Sequence, residues 1–354
     1  MLRATLSPIG DVGAVASRWL SLQTQAGASF FQSWTWTGCL ARERYSDPVL
    51  LSVMQGDAEI GLALFNRRRN WAGGETLYLG ETGDPAWDSV FIEHNGPMLA
   101  CGDAEAARRA LWAALGARRR LVLSGVPASV LAGRPETPGL VPVTRAIRTA
   151  PYADLAAVPA GQDGYLATLS ANTRHQLRRS ARRYAQAGPL AVVRAANVAE
   201  GLAFLDALAD LHQATWIRRG RPGAFSVPEF RRFHRELVAS GLPRGEVDLL
   251  RVAAGEKLLG YLYNFRYGDT ISAYQSGLNY AAADAQHKPG LTCHHLAIEL
   301  YRSEGMRRYD FLAGEDRYKT SLGHGGETLH WVALLPRFSP RGLVQGLRER
   351  LTPG

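Results

Sequence analysis

The stretch from Ile271 to Gly323 restricts the fold of this chain more than any other, because four elements follow one another in it with their boundaries marked. Ile271 to Asn279 carries the β-branched and aromatic residues of a strand, and Pro289 stands where a first helical residue needs no N–H donor. Leu291, His294, His295, Ile298 and Tyr301 then recur at three and four residues, and Gly305 closes the helix as a C′ residue. Arg307 to Leu312 (RRYDFL) reads as a buried strand. The first helical turn, Gly290 to Cys293, holds no acidic side chain, and Gln286, His287 and Lys288 precede it. Unsatisfied N–H groups, a positive helix end and a nearby ammonium make an anion site.

The same order of elements occurs earlier in the chain. Val49 to Gln55, a turn at Gly56-Asp57 and Glu59 to Asn66 form a hairpin, with Glu75 to Gly80 as a third strand. Asp103 is placed to cap the helix AEAARRALWAALGA, and Arg120 to Val126 is the next strand. In the second half, Val247 to Ala254, a Gly255-Glu256 turn, Leu258 to Tyr267, Thr270 to Asn279, the helix from Pro289 and RRYDFL repeat that succession. A chain of 354 residues exceeds one typical domain of about 100 to 200 residues. The expectation is therefore an α/β protein with a duplicated unit: residues 1–150, residues 151–340 and a tail at 341–354, with Pro142 to Pro159 as linker. The two copies differ at the helix start, since Asp103 and Glu105 repel an incoming anion that Lys288 and His287 attract. Only the second copy is equipped to bind one.

An apolar share of 46% and a charged share of 21% are globular values and argue against disorder. Cys39, Cys101 and Cys293 lie far apart without C-x-x-C spacing, which indicates neither a disulfide framework nor a zinc site. His294, His295 and His324 lack metal-ligand spacing, so no metal is expected. Residues 1 to 30 hold no long apolar run and none of about 18 residues occurs elsewhere, so a cytoplasmic protein is expected. A net charge of +9 favours anionic partners: a nucleotide sugar, coenzyme A, tRNA or an acidic membrane face. Arginine on plain solvated faces is the alternative.

Two basic segments carry most of that charge. From Ser170 to Leu190 a helical pattern sets Arg174, Arg178 and Arg182 round one side, widened by Arg179 and Arg183, with Thr173, Leu177 and Tyr184 opposite. No acidic residue occurs between Asp163 and Glu200, so phosphate contact competes with the plain solvated reading. Phe204, Leu205 and Leu208 mark the core side of a further helix leading into Trp216 to Gly223 (WIRRGRPG), where Trp216 and Arg219 suit a substrate-lining loop. Phe230, Phe233 and Leu237 mark a scaffold helix ending at Gly241.

The PGL turn, YDFLAGEDRYK from Tyr309 to Lys319, the arginine segment and WIRRGRPG together resemble the CelD-like branch of the GNAT acyltransferases, and the layout resembles the FemAB aminoacyl transferases. That resemblance, over about residues 30 to 335, implies two tandem GNAT-like domains, each a mixed twisted sheet flanked by helices. It implies an N-acyltransferase that takes acyl-CoA, or an acyl carrier protein, as donor and an amine as acceptor. The preferred acceptor is an amino sugar of exopolysaccharide or cell-envelope synthesis, small or lipid-linked, with peripheral contact at the inner membrane face. An aminoacyl-tRNA donor and a non-catalytic anion-binding module of a polysaccharide assembly are the alternatives. The usual GNAT turn is Q/R-x-x-G-x-G/A; here Gln286, His287, Lys288, Gly290, Leu291 and Thr292 form it, and Thr292 stands in place of the second glycine.

Acyl transfer to an amine needs a deprotonated nucleophile, a polarised carbonyl and a proton for the leaving group. The resemblance implies Tyr318 as general acid, with Asp310 and Glu315 the nearest carboxylates for the base. Lys319 either pairs with Glu315, four residues before it, or contacts an acceptor phosphate. Arg174, Arg178, Trp216, Arg219, Tyr274 and Gln275 complete the expected substrate side, with Tyr274 and Gln275 alternating across their strand. Cys293 and His294 point apart by about 100° as consecutive helical residues, which disfavours a Cys-His nucleophile.

Overall fold

The computed structural model describes residues 1–338 apart from 72, 86, 89–90, 117–118, 133–138, 160–163, 282, 284–285 and 315. The expected tail at 341–354 and the candidate Glu315 lie outside the described residues. The chain divides into two compact units, Met1–Arg148 joined by the chain from Thr328, and Thr149–Glu327.

The first unit contains β1 (Leu2–Pro8), α1 (Val12–Gln23), α2 (Trp34–Glu43), β2 (Pro48–Gln55), β3 (Ala58–Arg69), β4 (Glu75–Leu79), β5 (Met98–Leu99), α3 (Ala104–Leu115), β6 (Arg120–Pro127) and α4 (Ala128–Leu131). Strands β1 to β4 and β6 are neighbours in that order, and β4 runs parallel to β6. Gly56 supplies the positive φ (60°) of the β2–β3 hairpin, as its sequence requires. Asp103 precedes α3 but its side chain makes no capping hydrogen bond. The expected linker is instead a strand, β7 (Leu140–Asp154). Proline denies a ladder only its own N–H; Ala150 and Ala153 are buried, and Tyr152 to Asp154 pair antiparallel with Arg308 to Asp310.

The second unit holds α5 (Ala171–Ala185), β8 (Leu190–Arg194), α6 (Val198–Arg218), α7 (Pro228–Gly241), β9 (Val247–Ala254), β10 (Lys257–Tyr267), β11 (Thr270–Leu278), α8 (Pro289–Ser303), β12 (Arg308–Asp310), α9 (Arg317–Leu322) and the start of β13 (Gly325–Pro336). Its sheet runs from the end of β7 through β12, β11, β10 and β9 to β8; β11 and β12 are parallel and the other pairs antiparallel. Leu177 and Tyr184 of α5, Ile298 and Tyr301 of α8, and Leu250, Leu262, Ile271 and Tyr309 of the sheet share one core. Burying each large apolar side chain there stabilises the unit by roughly 1.5 to 3 kcal/mol. A Cβ at Gly277 would lie 2.3 Å from the Leu208 carbonyl, so only glycine allows α6 to lie this close on β11. No described helix is long and apolar enough to cross a membrane.

Candidate active site

Strands β11 and β12 pair only at Thr270–Arg308, Ile271–Tyr309 and Ser272–Asp310. Beyond that point β12 ends, while β11 continues to Leu278 with β10 on one side and no described strand on the other. Past Ser272 no described strand pairs with the β12 side of β11, and the Ala273–Leu278 edge forms one wall of the wedge where the ladder stops. Helix α8 begins beside this wall: a Cβ at Gly290 would lie 3.3 Å from Leu278 Cδ1 and 3.8 Å from the Tyr280 hydroxyl. Its first turn is uncharged, Pro289 has no N–H, and the Thr292 N–H is already bound to the Lys288 carbonyl at 2.9 Å. The Gly290 and Leu291 N–H groups precede that bond and have no acceptor within the helix. An extended anionic ligand can therefore lie on the β11 edge with its charge at the positive end of α8.

Helix α5 braces the turn. Buried Ser180 accepts a hydrogen bond from Lys288 N at 2.9 Å and shares another, at 2.8 Å, with the Thr292 hydroxyl. Thr292 is therefore a packing residue that joins two helices, which corrects its expected place among the ligand-binding groups. Arg183 Nε donates to Gln286 Oε1 at 2.8 Å, and the His287 ring packs on Tyr184 with centroids 4.5 Å apart. Arg174 turns back on its own segment and donates to the carbonyls of Ala167 and Leu169, so it braces α5 rather than meeting a substrate. Arg178 lies on the exposed side of the helix.

On the other side of α8, the loop from β12 to α9 is pinned from both ends. Asp310, 1% exposed, pairs with Arg308 at 2.8 Å and accepts the Leu312 N–H at 2.8 Å. Those contacts make it a structural carboxylate, not the expected general base. Leu312 holds φ 58°, a left-handed conformation that an L side chain adopts only under constraint. Lys319, 8% exposed, donates to the Leu312 and Ala313 carbonyls at 3.2 and 2.9 Å, so its ammonium holds this loop; its expected partner Glu315 lies outside the described residues.

Tyr318 is half-buried in α9, and its ring stacks on His294 with centroids 4.8 Å apart and planes 13° from parallel. Burial first, then the charges of Asp316 and Tyr280, push its pKa up, so the phenol keeps its proton. His294 is 2% exposed and shares a 2.8 Å hydrogen bond between Nδ1 and the Tyr309 hydroxyl; burial, with Lys319 adding to it, pulls its pKa down to about 3. The imidazole is neutral and serves as a rigid platform for Tyr318. Cys293 is buried and its thiol pKa is pushed up by that burial, which leaves it inert.

The end of α6 closes the remaining side. Trp216 Nε1 donates to His212 Nε2 at 2.8 Å, and the Arg219 guanidinium lies 5.4 Å from the Trp216 ring centroid. Burial lowers the pKa of His212 to about 4, so its ring is neutral and can accept. Tyr280 connects this element to α8: burial raises its pKa, Arg219 and Arg218 lower it, and Asp316 and Cys293 raise it again. Charges from α6, α8 and the loop before α9 thus meet at one hydroxyl. Tyr274 is not at the wedge. The register slips there, with Gln275 opposite Tyr263 but Ala273 opposite Asn264, and the ring packs between His234 and Phe265 in the core. Gln275, just past the bulge, is half-buried.

The structure therefore brings together Gln286, His287, Lys288, Gly290, Leu291, Tyr318, Trp216 and Arg219. It adds Tyr280, Asp316, Ser180 and His212, which the sequence reading did not single out, and His294, which that reading weighed only as a metal ligand or a partner of Cys293. The i, i+4 spacing of His212 and Trp216 is a signal that could have found one of them.

Residues 171–320 match the family model for the acetyltransferase (GNAT) domain. No curated protein matches the chain. Among solved structures, FemX superposes with a TM-score of 0.59 at 10% identity, covering 98% of this chain and 99% of its own. The C-terminal domain of a putative lysylphosphatidylglycerol synthetase from Agrobacterium fabrum gives 0.56 at 13% identity, covering 96% of each chain. The L-PGS structure from Bacillus licheniformis gives 0.54 at 11% identity and 95% of each. At these identities the likeness is one of fold, an α/β architecture of GNAT-like units.

Proposed function

We propose that the protein is an N-acyltransferase whose second unit binds an acyl-CoA in the wedge between β11 and β12. The observation that carries this reading is the end of the β11–β12 ladder beside an uncharged helix start, within the residues that match a GNAT domain. The pantetheine amides would pair with the β11 edge and the pyrophosphate would meet the Gly290 and Leu291 N–H groups and Lys288. Tyr318, held protonated, would give its proton to the departing thiolate, and the exposed carboxylate of Asp316 would take one from the amine, directly or through water. The preferred acceptor is an amino sugar of exopolysaccharide or cell-envelope synthesis, as the CelD-like resemblance implies, met by Arg219 and Trp216 at the end of α6. The likeness to FemX and to lysylphosphatidylglycerol synthetase keeps an aminoacyl-tRNA donor as the second reading. The test is thiol release from acetyl-CoA with glucosamine phosphate, glucosamine or no acceptor, run beside a charged-tRNA assay. Acceptor-dependent release supports the first reading, and transfer only from tRNA replaces it with the second.

A further inference from the structure

More positive charge surrounds the start of α8 than a pyrophosphate at a helix end needs. Arg183 reaches it from α5 and is held by the Gln286 amide, a contact that occupies only its Nε. One turn earlier on the same face, Arg179 has a covered Nε with no partner among the described residues. Lys257, at the start of β10, puts its ammonium 5.5 Å from the Tyr184 ring centroid, and His287 packs on the same ring. Tyr184 itself is 1% exposed, a fixed ring that Lys257 of β10 and His287 before α8 both meet. Among the described residues none of Arg179, Arg183, Lys257 and Lys288 makes an ion pair. Such a group is self-repelling and destabilising as it stands, and a polyanion would relieve it.

We infer that Arg183, with Lys257 across Tyr184, forms a second phosphate subsite that binds a phosphomonoester on the nucleotide end of the donor. It rests on the coenzyme A reading above. A guanidinium held only through Nε keeps both terminal nitrogens available as donors, and paired N–H donors of this kind suit a phosphate dianion. A donor lacking that phosphate keeps the α8 contact and loses this one. The arginines of α5 thus divide by position, Arg174 bracing the helix and Arg183 recognising the donor.

The test is titration calorimetry with coenzyme A and 3′-dephospho-coenzyme A on the wild-type protein, Arg183→Gln, Arg183→Lys and Lys257→Gln, with thermal melts to verify folding. Charge-assisted contacts of roughly 1.5 to 3 kcal/mol predict that the wild type prefers coenzyme A by about tenfold to a hundredfold. Arg183→Gln should bring coenzyme A down to the affinity of the dephospho compound and leave the latter unchanged; Arg183→Lys should keep part of the preference. Equal wild-type affinities, or an equal loss of both ligands in Arg183→Gln, would overturn the subsite while leaving the donor reading intact. Failure of both ligands to bind the wild type would remove the donor reading and the subsite together.

Discussion

Tyr318 and His294 form a stacked pair in which the phenol is the proposed acid and the buried imidazole fixes its ring. If Tyr318 protonates the leaving thiolate, Tyr318→Phe should lower kcat by about a hundredfold or more and leave the donor's KM nearly unchanged. Steady-state kinetics that show kcat within about twofold of wild type would remove the tyrosine from the chemistry. His294 makes a separate expectation about pH. Its pKa is about 3 in the folded chain against 6.5 unfolded, so the unfolded state takes up the proton first as pH falls. Stability is then complete above about pH 6.5 and is lost toward pH 3, by about 1.4 kcal/mol per pH unit for each such histidine. His212, with a folded pKa of about 4, adds a similar slope over a narrower range. Urea unfolding between pH 7 and pH 5 should show a shallower slope for His294→Asn than for the wild type. Parallel slopes would mean that His294 is not held neutral by burial.

At the scale of elements, the loop between β12 and α9 decides what Lys319 does. An ammonium that holds two loop carbonyls is a structural clamp, so Lys319→Met should cost roughly 2 to 3 kcal/mol of stability and lower kcat by displacing Tyr318. A phosphate-reading lysine would instead raise only the acceptor's KM and leave the melting temperature alone. The helix from Pro289, its neighbouring strands and its closing Gly305 were legible in the sequence because each boundary is set by residues within one turn of it. The roles of individual side chains were less so. Thr292 finds its partner in Ser180, Arg174 turns back to carbonyls, and Asp310 fixes the strained Leu312; each is decided by packing between elements that periodicity does not report. Tyr274 was placed by strict alternation, and a bulge breaks alternation without any mark in the sequence. Tyr280 was passed over because an aromatic after a strand has no motif of its own.

At the scale of the whole molecule, the two units share one order of elements but differ where it matters for binding. In the first unit, β4 and β6 also run parallel, yet the Asn95 side chain bridges the Leu79 and Ser124 carbonyls at 3.1 Å each, and its N–H binds Gly125 O at 2.9 Å. The chain's own loop thus bridges the two parallel strands of the first unit. Glu105 there pairs with Arg109 at 3.0 Å, and Asp103 caps nothing. Asp103→Asn with Glu105→Gln should leave coenzyme A affinity unchanged in the same calorimeter, since the loop already bridges the strands of that unit. The most direct measurement is calorimetry of coenzyme A against the wild type, Gly290→Ala and Gly290→Asp. Both variants add a Cβ 3.3 Å from Leu278 Cδ1, but only the second sets a carboxylate against the first turn of α8. The expectation is one coenzyme A per chain in the wild type, weakened in Gly290→Ala and abolished in a folded Gly290→Asp; two per chain, or unchanged affinity in Gly290→Asp, would contradict it.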